Sequence, residues 1–334
     1  MTFMSLTEKA VFATTSRLLV CLVLERLVHL RIHQGNETYS GMINDCVGFD
    51  LRGCVKEGWL RPEDVLPPIR LLRRGENDGD TKFGDTKEYP TPREIIFRLL
   101  GSTPGIASSA LETLITELNN SIQTQLEIFS SQFEFRISAP TRNSTLLEWE
   151  RGIIQGHGSH PCHRTRRAMF MDLPCPPRLE LEFPRVVICG VLKTKLAVHG
   201  PYDEIMDELL RRLEVSVGKE HRVILIHSYQ LRVVRRLFKD LHIIELGEIQ
   251  AEAQASLRYD HSLEISRLEL TCRRTITIPI FDFEYDFKLP LALITTSSLR
   301  TISPFTLANG PNISVLAQEL NKDNPYLTIV HESK

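Results

Sequence analysis

Three histidines, two glycines and two arginines fall within twelve residues of this chain, Gln155-Gly156-His157-Gly158-Ser159-His160-Pro161-Cys162-His163-Arg164-Thr165-Arg166. Glycine lets a backbone approach a ligand closely, and arginine and histidine supply donors suited to phosphate or carboxylate. A stretch this polar and jointed is expected outside any core. A second donor-rich cluster lies far downstream, Lys288-Leu289-Pro290-Leu291 followed by Thr296-Ser297-Ser298-Leu299-Arg300-Thr301. Each cluster stands beside an apolar run, so the pair predicts one anion-handling site built from distant parts of the chain. Two other readings of the histidine segment stay open: a plain surface loop, and a zinc site using His157, His160, Cys162 and His163. The zinc reading has the right ligand types, but their crowding gives no usual structural spacing and no distant Cys-x-x-Cys completes it.

The elements that must position these residues divide the chain in two. Residues 1–150 read as a mainly helical N-terminal lobe. Its opening helix carries Phe12, Leu18, Leu19, Leu22, Val23, Leu27 and Val28, with Thr7-Glu8-Lys9 near its start. The apolar run at its centre is closed off by Arg17 on one side and Glu25-Arg26 on the other, too short to span a bilayer. A mixed region follows from Val47 to Leu72. The charged, Gly-containing stretch from Arg73 to Tyr89 reads as a surface loop or disordered insert. Thr91-Pro92-Arg93-Glu94 opens a helix with proline at its first position, and Leu111 to Phe129 has helical spacing of apolar residues. Residues 151–334 read as a mixed α/β lobe. Val186–Cys189, Val223–Ile226 and Leu291–Ile294 are short strands, and helices are expected over Tyr202–Leu213 and Gln230–Leu241. The fold class is therefore α+β.

Composition narrows the function classes. With 40 basic against 42 acidic residues the net charge is −2, which argues against general nucleic-acid binding, since that needs a basic excess over phosphate. Seven scattered cysteines do not form a secreted disulfide framework, so a reducing, cytoplasmic setting without a membrane anchor is expected. His227, ending an apolar strand, reads as a hydrogen-bonded structural residue. The basic run Arg232 to Lys239 reads as the solvated face of a helix.

Taken in order, several of these segments resemble motifs of the siderophore synthetases that work without a peptide synthetase, the aerobactin synthetase-like (IucA/IucC) ligases. The family pattern Gly-His-Pro-x-His-Pro-x-x-Lys-x-Arg is similar to Gly156–Arg166, with Gly158 in place of the first proline and Arg164 in place of the lysine. Glu117-Leu118-Asn119-Asn120-Ser121 resembles the family's Glu-Leu-x-x-Ser helix, and Ile226-His227-Ser228-Tyr229-Gln230 its Val-His-Pro-Trp-Gln. Phe287-Lys288-Leu289-Pro290-Leu291, Thr296–Thr301 and Asn309-Gly310-Pro311 follow in the family's order. The resemblance spans roughly residues 90 to 315.

It implies an ATP-dependent ligase that adenylates citrate or a related polycarboxylate and passes the acyl group to an amine or alcohol. Mg²⁺ would accompany ATP. Ser159, His160, Arg164 and Arg166 would lie in the loop cradling the ATP phosphates, with His157 beside the substrate. Lys288 would contact phosphate, and Arg300 the phosphate or the substrate carboxylate. The family's Ser-x-Arg-Thr motif begins here at Ala255-Ser256-Leu257-Arg258, but Tyr259 stands where threonine is expected. Removing Tyr259–Arg274 joins Arg258 to Thr275 and restores it. That stretch therefore reads as an insertion, and either Arg258 or Arg274 could serve beside Ser256 and Thr275. The family architecture is a three-lobed hand of thumb, fingers and palm, and this chain corresponds to the thumb and fingers without the C-terminal palm. Two expectations follow: a ligase, as a possible homodimer or completed by the missing C-terminal half; or a catalytically inactive remnant that binds a nucleotide or a partner.

Overall fold

A computed structural model of the chain describes residues 4–36, 38–55, 59–72, 86–134, 141–143, 158–177, 180, 184–198, 202–250, 275–279, 286–295, 298–299 and 304–324. The chain divides into two compact units, residues 1–139 with 152–166, and residues 140–151 with 167–334. The described part of the histidine segment thus packs in the first unit, whereas the sequence placed it at the start of the second lobe. The reason is a set of hydrogen bonds to a helix of the first unit, given below.

In the first unit, helix α1 (Leu6–Leu24) starts at a capping box. The Glu8 amide donates to Ser5 Oγ at 3.2 Å and the Ser5 amide to the Glu8 carboxylate at 2.7 Å. It ends earlier than its apolar pattern suggests. The Arg26 amide bonds back to Val23 O and the Leu27 amide to Leu22 O, with Arg26 at φ 56°, so the last carbonyls are closed by a left-handed residue. Leu27 and Val28 fall outside the helix. The helix is buried nearly all round: Thr14, Thr15, Ser16 and Arg17 are as enclosed as Leu18 and Leu19. Arg17 therefore does not close off an apolar run at the surface; it is part of the interior.

Five antiparallel strands follow in sequence order, β1 (Leu30–Gln34), β2 (Tyr39–Ile43), β3 (Val47–Leu51), β4 (Val65–Leu72) and β5 (Thr86–Glu88). Asn44 and Asp45, both at positive φ, make the tight turn between β2 and β3. Gly41 faces Phe49 across that pair, and a Cβ there would lie 2.5 Å from the Phe49 ring. The lobe read as mainly helical thus holds a complete small sheet beside its helices. β5 lies inside the stretch expected to be loop; being an edge strand it can be short and charged. Residues 73–85 of that stretch lie outside the described residues. Helix α2 (Pro92–Leu100) opens at a Thr91–Glu94 capping box with Pro92 in its first turn, and α3 (Ser108–Glu134) is the longest helix among the described residues. Ile95, Ile96, Leu111, Ile115 and Leu118 join α1 and the sheet in one core.

The second unit opens with the two-residue strand β6 (Arg167–Ala168). A three-stranded sheet has β7 (Arg185–Leu192) at its centre, flanked by β8 (His221–His227) and β9 (Ile243–Gln250). Helices α4 (Tyr202–Arg212) and α5 (Ser228–Leu237) accompany it, with Leu209, Tyr229 and Val233 buried against Val186 and Ile188. Strands β10 (Thr275–Pro279) and β11 (Asp286–Pro290) pair with each other, and β12 (Leu293–Thr295) lies between β13 (Ser298–Leu299) and β6. Leu291 and Ala292, expected in a strand, form a short break closed by the Leu293 amide on Leu291 O. Helix α6 (Pro304–Asp323) follows. The lobe mixes helix and sheet, and every strand pairing among the described residues is antiparallel.

Candidate functional site

Helix α3 carries a polar face that is buried. Glu117, Ser121 and Gln125 recur one turn apart, with Asn120 and Thr124 beside them. Against this face lies the second half of the histidine segment. The Arg164 amide donates to Ser121 Oγ at 3.0 Å, and Thr165 Oγ1 donates to Glu117 O at 2.8 Å. The Arg166 amide donates to Asn120 Oδ1 at 2.6 Å. The His163 ring lies between Ser121 Oγ, 3.4 Å from Nδ1, and Gln125 Oε1, 3.1 Å from Nε2. Cys162, His163, Arg164 and Thr165 are all buried. The expectation that this stretch stays out of any core is corrected for these four residues. Polar side chains can be enclosed when each finds a partner, and α3 supplies those partners.

Electrostatics follow from that enclosure. Burial, and then the cations of Arg17 and Arg164, hold the His163 imidazole well below its ordinary value. Burial also lowers Arg17, to about 10, which leaves it a cation at neutral pH. The Cys162 thiol is pushed up to about 12 by burial and by the nearby Glu117 carboxylate. It is a thiol rather than a thiolate, which suits neither a nucleophile nor a metal ligand. Among the described residues no group of three or more His, Cys, Asp or Glu is placed to hold a metal ion.

Four backbone donors of the described part of the segment are used within the protein. The Cys162 amide donates to His160 Nδ1 at 3.1 Å and the Thr165 amide to Cys162 O at 3.1 Å, in addition to the Arg164 and Arg166 bonds to α3. Ser159 is exposed and His160 half-buried. Because His160 Nδ1 accepts from Cys162, its neutral ring carries the proton on Nε2, a donor fit for a phosphate oxygen. Arg164 is buried, and the nearly enclosed Arg166 side chain pairs with Glu127 at 3.1 Å.

The other expected site residues lie in the second unit or outside the described residues. Thr275 begins β10 and Lys288 sits in β11, where register sets Thr277 opposite Lys288 and Thr275 opposite Pro290. Both thus belong to one hairpin. His157, Ser256, Arg258, Arg300 and the stretch 259–274 lie outside the described residues. Arg300 follows β13 directly. β12 joins β13 to β6, with Ile294 opposite Arg167 and Leu293 opposite Ala168. The strand leading out of the histidine segment is therefore in the same small sheet as the strand leading into Arg300. His227 is structural, as its position suggested: it caps α5 by accepting the Tyr229 amide at 3.0 Å and meets Glu180 O at 3.1 Å. The basic face of α5 is exposed and ion-paired, Arg235 with Glu245 and Arg236 with Asp172.

Arg17, Asn120 and Gln125 carry no site role in the sequence alone, although Asn120 lies in the Glu117–Ser121 motif. The available signal was a polar Thr14-Thr15-Ser16-Arg17 run inside an otherwise apolar helix, and a second, polar periodicity in α3.

Three comparisons bear on what this arrangement is. A model of the IucA / IucC family matches residues 269–333. The NRPS-independent siderophore synthetase rfs of Rhizopus delemar is 28% identical over 288 residues, covering 80% of this chain and 44% of that protein. The NRPS-independent siderophore synthetase-like protein ankE of Aspergillus thermomutatus is 27% identical over 340 residues, 93% of this chain and 51% of its own. ATP-bound aerobactin synthetase IucA from a hypervirulent pathotype of Klebsiella pneumoniae shares the fold with a TM-score of 0.60 at 16% identity, over 94% of this chain and 55% of that one.

The chain is similar in sequence to siderophore synthetases and in fold to IucA, and its residues 269–333 match the IucA / IucC family model. It spans about half the length of the curated relatives it matches. The region matched by the family model takes in Thr275, Lys288 and Arg300, whereas the histidine segment precedes it. No helix among the described residues is long and apolar enough to cross a membrane.

Proposed function

We propose that this chain works as an ATP-dependent carboxylate ligase of the siderophore-synthetase type. It would take citrate or a related polycarboxylate as acyl donor and an amine or alcohol as acceptor. The observation that carries the reading is the bonding of the histidine segment onto the Glu117–Ser121 stretch of α3, two family-like motifs far apart in sequence. ATP supplies the activated phosphorus to which a carboxylate oxygen bonds as pyrophosphate leaves, and attack by the amine or alcohol on the acyl carbon then releases AMP.

In the first unit, Ser159 and the Nε2 donor of His160 are the groups presented for phosphate, with the buried cations of Arg164 and Arg17 adding positive potential. Arg166, tied to Glu127, supports the same segment, and His157 is assigned to the substrate side. In the second unit Lys288 is assigned to phosphate as a point charge, and Arg300 to a carboxylate, whose geometry a guanidinium matches. Ser256, Arg258 and Thr275 are assigned to the nucleotide. Mg²⁺ accompanies ATP to offset phosphate repulsion. The scattered cysteines of the sequence suit a reducing, cytoplasmic setting.

A second reading belongs to a different class. On that reading it binds nucleotide or a partner without turnover. A hydroxylamine trap with ATP, Mg²⁺ and a panel of polycarboxylates separates the two. The ligase reading predicts hydroxamate with pyrophosphate release, abolished by Arg300→Ala. Absence of hydroxamate from folded, ATP-binding protein favours the second reading.

A further inference from the structure

The face of α3 that meets the histidine segment is polar where a packing face would be apolar. Four consecutive residues, His163 to Arg166, are each tied to it, through Gln125, Ser121, Glu117 O and Asn120. We propose that Asn120 and Ser121 are positioning residues, which hold the histidine segment in the single conformation that presents Ser159 and His160. The identity of the ligand rests on the functional reading above; the positioning role does not.

The bonds form a directed relay. Ser121 Oγ accepts the Arg164 amide, which leaves the hydroxyl proton to be donated to His163 Nδ1, 3.4 Å away. His163 then carries its own proton on Nε2 and donates it to Gln125 Oε1 at 3.1 Å. Each of these donors has an acceptor when the ring is neutral and protonated on Nε2. Were Nδ1 the protonated atom, it would turn to Pro161 O, also at 3.4 Å, and the Gln125 carbonyl oxygen would face a bare nitrogen. Ser121 and Gln125 thus fit the Nε2-protonated tautomer, and Pro161 O fits the other. Asn120 holds the next free amide, that of Arg166, one residue before β6 begins.

The consequence is preorganisation. A loop that has lost its alternatives before the ligand arrives binds with an apparent affinity undiminished by the fraction of time spent elsewhere. If a lost tie left the segment in its binding conformation about a tenth of the time, apparent affinity would fall about tenfold.

The test uses the full chain with Ser121→Ala, Asn120→Ala and the conservative Asn120→Asp, which keeps an oxygen acceptor in place. Three quantities are read: amide hydrogen exchange along 158–166 against the rest of the chain, the His163 tautomer from long-range nitrogen–proton spectra, and the affinity for MgATP. The expected result is faster exchange confined to the segment and about tenfold weaker MgATP binding for both alanine variants. Asn120→Asp restores both. In Ser121→Ala the His163 proton moves away from Nε2. Unchanged exchange and affinity in the alanine variants overturn the proposal, as does exchange that quickens throughout the chain or a failure of Asn120→Asp to rescue. Asn120 is only half-buried, so its variants remain informative should Ser121→Ala fold poorly. If the folded wild-type chain binds no MgATP, the ATP reading fails, while exchange and tautomer still decide the positioning role.

Discussion

Ser121 Oγ lies 3.0 Å from the backbone nitrogen of Arg164, a bond that closes 43 residues of chain onto one helix. Its neighbour, the Thr165 hydroxyl on the Glu117 carbonyl at 2.8 Å, is fully buried and offers a clean measure of what such a tie contributes. Thr165→Val keeps the shape and removes the donor. A buried hydrogen bond lost in this way costs roughly 1–2 kcal/mol, so the urea midpoint should fall with no change in slope. A midpoint equal to wild type would mean that the tie carries no stability.

Acid should weaken the fold through its buried histidines. Burial lowers His160 and His227, and burial with Arg17 and Arg164 lowers His163 further. In the unfolded chain each takes a proton near pH 6.5, while the folded chain takes it only at lower pH. The unfolded state therefore binds more protons in that window, and stability is present above about pH 6.5 and lost as pH falls toward the depressed values. Each withheld proton contributes a slope of up to about 1.4 kcal/mol per pH unit. Urea titrations near pH 5 and near pH 7 should show a smaller acid loss for His163→Gln than for wild type. Equal losses would show that His163 withholds no proton.

Thiol labelling should separate two cysteines sharply. Cys162 is buried and its thiol is pushed up to about 12, whereas Cys54 is exposed. Brief maleimide treatment of native protein followed by peptide mass spectrometry should modify Cys54 and spare Cys162 until denaturant is added. Comparable labelling of both in native protein would mean that the segment does not pack as described.

Gly41→Ala should be costly despite its small size. The new Cβ would lie 2.5 Å and 2.7 Å from Phe49 ring atoms, and that ring is itself enclosed in the core. Overpacking of this kind costs typically about 1–3 kcal/mol. Thermal unfolding reads it directly; a midpoint at or above wild type would contradict the β2–β3 packing.

Legibility in the sequence tracked how local each cause is. The starts of α1 and α2 were readable because Ser5–Glu8 and Thr91–Glu94 each act within one turn. The strands around Val186–Cys189 and Val223–Ile226 were readable from their apolar runs. The end of α1 was not, because Arg26 takes the left-handed position usually marked by glycine. β5 hid within a charged stretch, since an edge strand need not be apolar. At the site, the Glu117–Ser121 and histidine motifs were both visible, but their junction was not. Partners lie 38 to 48 residues apart, and a polar residue shows burial only once its distant partner is known. The burial of Arg17 and Arg164 was illegible for the same reason.

The most direct measurement is a calorimetric titration of MgATP into the wild-type chain and into His160→Ala. Binding by the wild type and at least tenfold weaker binding by the variant are expected, since one hydrogen bond to a charged group is worth about 1.5–3 kcal/mol. No binding by well-folded wild-type protein, or an affinity indifferent to the loss of His160, would contradict it.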